Sequence, residues 1–202
     1  MSLIQESYYK IDNKNIKFKS PDIVDAHKIH SYTLEVLSSE QEYLITLPTE
    51  FTVTVEQQME WIQKIIEHYN SVLIVAEDEN EIIGFLDFHG GQKFKLSHTG
   101  SFGMSVRKDY RGKGIGRLLI YKLFEWAIEQ GKIEKISLDV LSNNATAIHL
   151  YHSVGFSEEG RQKRQVKLEN GNYLDLIQMG IQRELFGGKL RDGGIHASTD
   201  AL

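Results

Sequence analysis

The stretch from Val106 to Gly116 constrains this chain more than any other part of it. It lies between an apolar strand-like run, Phe102 to Val106, and a long amphipathic helix pattern that starts near Gly114. Gly112, Gly114 and Gly116 alternate through the loop. A loop of this kind opening onto a helix exposes backbone N–H groups with no side chains over them, and helix starts carry partial positive charge. Arg107, Lys108, Arg111, Lys113 and Arg117 surround it with cations. These features make a diphosphate cradle. The plainer alternative is a tight strand-to-helix turn with a solvated basic surface.

Three phosphate loops can be compared with it. A Walker loop needs Ser or Thr after its Lys, and Lys113 is followed by Gly114, so that reading fails. A dinucleotide fingerprint needs Gly-x-Gly-x-x-Gly and an acidic residue about 20 positions on. Here the glycine spacing differs, and the first acidic candidate at a strand end, Asp139, lies too far along. The pattern Arg-x-x-Gly-x-Gly is met by Arg111, Gly114 and Gly116. After a strand ending in Val and before a helix, it resembles the acyl-coenzyme A loop of the GNAT superfamily of N-acetyltransferases.

A second segment agrees. Asn144, Ala147, Leu150 and Tyr151, followed by Gly155-Phe156, resemble the family's next signature, Asn-x-x-Ala-x-x-Leu-Tyr with Gly-Phe after it. At helical spacing Asn144, Ile148 and Tyr151 share one face. Asn143 or Asn144 can cap this helix and Gly155 can end it. Taken alone, Tyr151 reads as an ordinary core residue of an amphipathic helix. The resemblance spans roughly Ile16 to Ile181, and its specific residues lie between Met104 and Phe156.

At 202 residues the chain suits one domain with a substantial core. The expected division is a single domain over 1–186 and a flexible Gly-rich tail over 187–202, the alternative for the tail being packing on a second subunit as a homodimer. A net charge of −5 argues against generic nucleic-acid binding, so the local basicity suits a compact polyanion. The longest apolar run, Val72 to Ala76, is too short to span a bilayer, and Met1 to Asn13 lacks a signal-peptide core. A cytoplasmic protein with no membrane partner is expected. Without cysteine there is no disulfide, thiol nucleophile or Cys-based zinc site.

Along the chain, Ser20-Pro21 predicts a helix start, with a helix to Ser38 whose apolar face is Ile23, Ala26, Thr33, Leu34 and Leu37. Thr54 and Gln57 predict a capping box for a helix with Val55, Met59, Ile62, Ile66 and Tyr69 on one side. Val72 to Ala76, Ile82 to Phe88, Thr99 to Val106 and Lys135 to Leu141 read as strands. Gly114 to Gln130 reads as a helix ended by Gly131. Phe156 to Leu168 and Tyr173 to Ile181 read as a closing hairpin around Asn170-Gly171. Strands and helices around one sheet imply a three-layer α/β domain. The resemblance adds a GNAT-like mixed, mostly antiparallel sheet flanked by about four helices.

The resemblance also implies acetyl-CoA as cosubstrate, an amine acceptor and no metal. Backbone groups at Met104, Ser105 and Val106 would hold the pantetheine arm like an added strand, with the Met104 N–H polarising the thioester carbonyl. Arg111, Gly112, Lys113, Gly114, Ile115 and Gly116 would take the diphosphate, and Asn144 would contact pantetheine. Tyr151 is the candidate general acid, since a phenol of pKa near 10 is protonated at neutral pH. A lysine-type amine is less than about 0.1% neutral at pH 7, so a base is needed. Many relatives carry a Glu on the strand before the loop, where this chain has Thr99-Gly100-Ser101-Phe102. His98 is the first substitute, with a surface histidine as the alternative; Asp87 and His89 follow. Tyr173 and Asp175 share a strand face, and Asp175 could attract a cationic amine or make a structural bond. The pairs His27/His30 and His149/His152 lack a third ligand of suggestive spacing and read as surface histidines.

Overall fold

A computed structural model describes residues 3–39 and 41–192. The chain opens with a hairpin that the sequence reading does not foresee, β1 (Ser7–Ile11) and β2 (Lys14–Lys19). Its turn residues Asp12 and Asn13 have φ of 48° and 64°, the conformation a two-residue hairpin turn requires. Tyr9, Ile16 and Phe18 bury its inner face.

The first helix starts later than expected. Asp22, not Ser20, caps a short 3-10 turn, Ile23–Asp25, which runs into α1 (Ala26–Ser39). Ser20 instead accepts the N–H of Ile4 at 3.1 Å. The tighter turn shifts the helical phase, so α1 buries Ala26, Ile29, Tyr32, Val36 and Leu37, and Leu34 faces outward. The capping box of α2 (Val55–Glu67) forms with both of its bonds, Gln57 N–H to Thr54 Oγ1 and Thr54 N–H to Gln57 Oε1. Its buried residues are Gln58, Ile62 and Ile65, whereas Met59 and Tyr69 are exposed.

The rest follows as β3 (Ser71–Asp78), β4 (Glu81–Gly90), β5 (Thr99–Val106), α3 (Ile115–Gln130), β6 (Lys135–Leu141), α4 (Ala145–Val154), β7 (Ser157–Lys167) and β8 (Tyr173–Gln182). A fifth helix, α5 (Arg183–Asp192), exceeds the expected four. It crosses the boundary expected at residue 186, and Phe186 is fully buried against Phe124. The remaining tail, 193–202, lies outside the described residues.

The strands form one sheet in the order β1-β2-β3-β4-β5-β6-β8-β7. Every neighbouring pair is antiparallel except β5–β6. On one face, α1 and α2 cover Leu73, Val75 and Ile82. On the other, α3, α4 and α5 bury Leu119, Phe124, Trp126, Val154 and Phe186 against Ile74, Leu86, Phe88 and Ile136. This is the three-layer α/β arrangement expected.

One irregularity places the site. β5 and β6 pair only from Thr99↔Lys135 to Ser101↔Ser137, although both strands continue beyond. β4 holds β5 along its length to Val106, and β8 holds β6 to Leu141. The sheet therefore splits along the second half of β5.

Candidate active site

Strand alternation decides which backbone groups face that split. The Arg107 N–H donates to Ile83 O at 2.9 Å, so odd-numbered β5 residues direct their N–H and C=O towards β4. Both backbone groups of Met104, the carbonyl of Phe102 and the N–H of Val106 then point into the gap, beyond the last rung shared with β6. Ser105 departs from its expected role: its backbone faces β4, and its hydroxyl lies 3.0 Å from the Tyr32 hydroxyl of α1. The Val106 carbonyl accepts from Arg111 Nε at 2.9 Å.

The gap belongs to a cavity of about 730 Å³. Phe102 to Val106 and Asp139 to Leu141 form its split walls, and residues 43–45, which follow α1, also line it. From there it runs to a groove between α3 and α4, lined by Gly114 to Arg117 and by Asn144, Thr146 and His149.

The glycine loop is built for exposed amides. Gly112 and Gly114 sit at φ of 74° and 87°, a region that strains L side chains, and open space surrounds both. Gly114 precedes α3, so the first N–H groups of that helix have no earlier carbonyl to bond. Gly116 packs closely: a Cβ there would come within 3.1 Å of Leu150. Lys113 turns away from the cavity to Asp12 in the β1–β2 turn, 3.4 Å distant. Tyr110 anchors the loop from behind, donating to Asp78 at 2.6 Å with Lys14 and Lys113 against its ring. The hairpin missing from the sequence reading thus braces the loop.

Helix α4 supplies the other candidates. Asn144 caps it, its side-chain oxygen accepting the Ala147 N–H at 3.1 Å. Asn143 points elsewhere, donating to Glu42 O at 2.8 Å beside the segment 43–45 that lines the cavity. Tyr151 lines the cavity, is only 6% exposed, and packs edge-on against Phe102 and Phe156. Burial pushes its phenol up to about 12, so it is protonated throughout the neutral range.

Besides Lys113, three expected positions are not brought to this cavity. His98 is exposed at the closed end of the split, where its carbonyl accepts the N–H groups of Glu134 and Lys135. The paired residues Thr99 to Ser101 separate it from the gap. Tyr173 lies under the Arg164 guanidinium, 4.1 Å from its ring centre. Asp175 accepts the Arg164 N–H at 2.8 Å and faces Arg161 at 3.4 Å, contacts that hold its carboxyl below its ordinary range. Its carboxylate secures the irregular β7 backbone. Asp175→Ala is therefore expected to lower Tm and leave the acceptor KM unchanged, checked by thermal melts beside steady-state kinetics.

Sequence reasoning passed over two features. Asp139 is the one carboxylate among the described cavity-lining residues, and its alternation with Leu138 and Val140 could have marked it as facing the other layer. Tyr32 needs the structure, because its meeting with Ser105 is long-range. Among the described residues, no group of three or more His, Asp or Glu side chains could hold a metal ion, and no helix is long and apolar enough to cross a membrane.

Known proteins share this arrangement. Residues 37–156 match the acetyltransferase (GNAT) family, and the chain belongs to that family of N-acetyltransferase enzymes. It is 28% identical over 119 residues to the L-amino acid N-acetyltransferase AaaT of Escherichia coli (strain K12), covering 59% of this chain and 73% of that protein. A GNAT-family acetyltransferase from Streptococcus pneumoniae superposes with a TM-score of 0.79 at 25% identity, covering 83% of this chain and 99% of the other. The fold of yncA from Salmonella typhimurium, solved with its cofactor acetyl-CoA, gives 0.73 at 22% identity, covering 93% and 99%.

Proposed function

We propose that the cavity takes acetyl-CoA and that the acetyl group passes directly to a small primary amine, with amino acids the favoured acceptors. The observation that carries this reading is the split between β5 and β6, with the Met104 N–H facing into it beside a loop of exposed amides. The diphosphate fits the amides from Gly112 to Gly116, where Gly112 and Gly114 present no Cβ to an approaching phosphate oxygen. The pantetheine arm fits the unpaired edge of β5, with Asn144 beside it. In this reading the Met104 N–H polarises the thioester carbonyl, and Tyr151 gives a proton to the departing sulfur.

Two features favour a small cationic acceptor over a peptide. Tyr43, Leu44 and Ile45 add an apolar wall to the cavity, in a segment tied down by the Asn143 bond to Glu42. Asp139 adds a negative charge that suits an ammonium. The similarity to an L-amino acid acetyltransferase supports the same class.

The test combines thermal stability with acetyl-CoA and thiol release across amines, amino acids and peptides. A cofactor-dependent rise in Tm with amine-dependent release is expected. Peptides turning over better than every small amine would move the reading to a protein acetyltransferase. Stabilisation without release would favour a non-catalytic acyl-CoA-binding module.

A further inference from the structure

The strand paired with the glycine-loop strand, β4, carries a hydrogen-bonded Asp–His pair on the α1–α2 side of the sheet. On β4, Asp87 and His89 alternate with buried Leu86 and Phe88 and so face the α1–α2 side with Phe85. His89 Nε2 lies 2.8 Å from Asp87 Oδ2, the imidazole half-exposed and the carboxylate partly buried. Asp87 stands opposite Gly103 on β5. A Cβ at Gly103 would come within 2.9 Å of Asp87 Oδ1, so the missing side chain is what lets the carboxylate lie over β5. Gly103 lines the cavity and directly precedes Met104.

We propose that Asp87 and His89 are the proton-accepting pair for the acceptor amine, Asp87 holding the ammonium over Gly103 and His89 taking its proton. This rests on reading the cavity as an acetyl-CoA and amine site, and it replaces His98. Protons balance as follows. The ammonium gives one proton to Nδ1 of neutral His89, whose Nε2–H is donated to Asp87, and the imidazolium passes it on to solvent. The amine nitrogen then bonds to the thioester carbon as the carbon–sulfur bond breaks. Tyr151 gives its proton to the sulfur, and the nitrogen's second proton refills Tyr151. The sum is amide, free thiol and one released proton.

The surroundings suit an imidazole that must change charge. The hydrogen bond that His89 donates to Asp87 raises its pKa above the ordinary value, against a smaller opposing effect of burial. Ser71 on β3 and Ser101 on β5 flank it in the ladder. His68 lies 3.5 Å from the Ser71 hydroxyl, and α2 brings the Trp61 ring, 6.2 Å from that of His89.

The test compares an alkyl amine, charged at pH 7, with an arylamine that is already neutral. His89→Gln is expected to lower kcat/KM for the alkyl amine about 10²-fold and for the arylamine no more than about threefold. Asp87→Asn should show the same split, and imidazole in the buffer should restore His89→Gly. Acetyl-CoA affinity by calorimetry should not move in any variant. Equal losses on both amines, or alkyl-amine turnover that survives His89→Gln, overturns the pair alone. Wild-type protein that binds acetyl-CoA but acetylates no amine overturns the enzyme reading and the pair together.

Discussion

Gly114→Val is expected to raise the Kd for acetyl-CoA by about 10²-fold or more, close to 2.7 kcal/mol, in a protein that still folds. The residue sits at φ of 87°, where a β-branched side chain is strained by about 1–3 kcal/mol. Nothing in the fold lies within 4 Å of the added Cβ, so packing does not resist it. The strain alone should lower Tm by a few degrees up to about ten in a chain this size. The larger loss is local. The branched side chain would stand over amides that the diphosphate needs bare, and relief of strain would turn those amides away. Calorimetric titration with acetyl-CoA, beside a melt of the free protein, separates the two effects. Unchanged affinity would place the diphosphate elsewhere.

That loop was legible in the sequence because its demands are local. A strand ending at Val106, glycines at the turn and a helix from Ile115 to Gln130 closed by Gly131 all follow from short-range chemistry. For the same reason β6 runs from Lys135 to Leu141 as its β-branched pattern indicates. The β1–β2 hairpin was less readable, since a polar segment hides its alternation of Tyr9 with Ile11 and of Ile16 with Phe18. Its turn, Asp12-Asn13, was the available signal.

The site divides in the same way. Asn144 and Tyr151 share one helix and could be placed by spacing, but whether a carboxylate is free for substrate depends on its neighbours in the fold. Asp175 is claimed by Arg161 and by the backbone of Arg164, across a bulged hairpin that no spacing rule specifies. Asp87 can lie over Gly103, a residue of the cavity wall, only because that position in the ladder carries no side chain. Register between strands decides both outcomes, and register is a property of the assembled sheet.

Tyr151→Phe is expected to lower kcat about 10²-fold with Tm and acetyl-CoA affinity unchanged. The side chain keeps its packing against Phe102 and Phe156, and no protein hydrogen bond to its hydroxyl is present among the described residues to be lost. The same burial that keeps the phenol protonated also weakens it as an acid. With a pKa of about 12 against an ordinary thiol value near 8.5, proton transfer that leaves a phenolate is uphill by roughly 5 kcal/mol. On the proposed mechanism the phenol must therefore regain a proton as it gives one, with the attacking amine nitrogen as the source. The pH profile carries the sign: the active form is the neutral phenol, so its limb is a loss of kcat as pH rises towards 12, and none belongs to it near neutrality. A variant retaining kcat within about threefold would reduce the hydroxyl to positioning the sulfur. A 10²-fold loss that appears equally with alkyl amines and arylamines would fix Tyr151 on the leaving group, because that step is common to both acceptors.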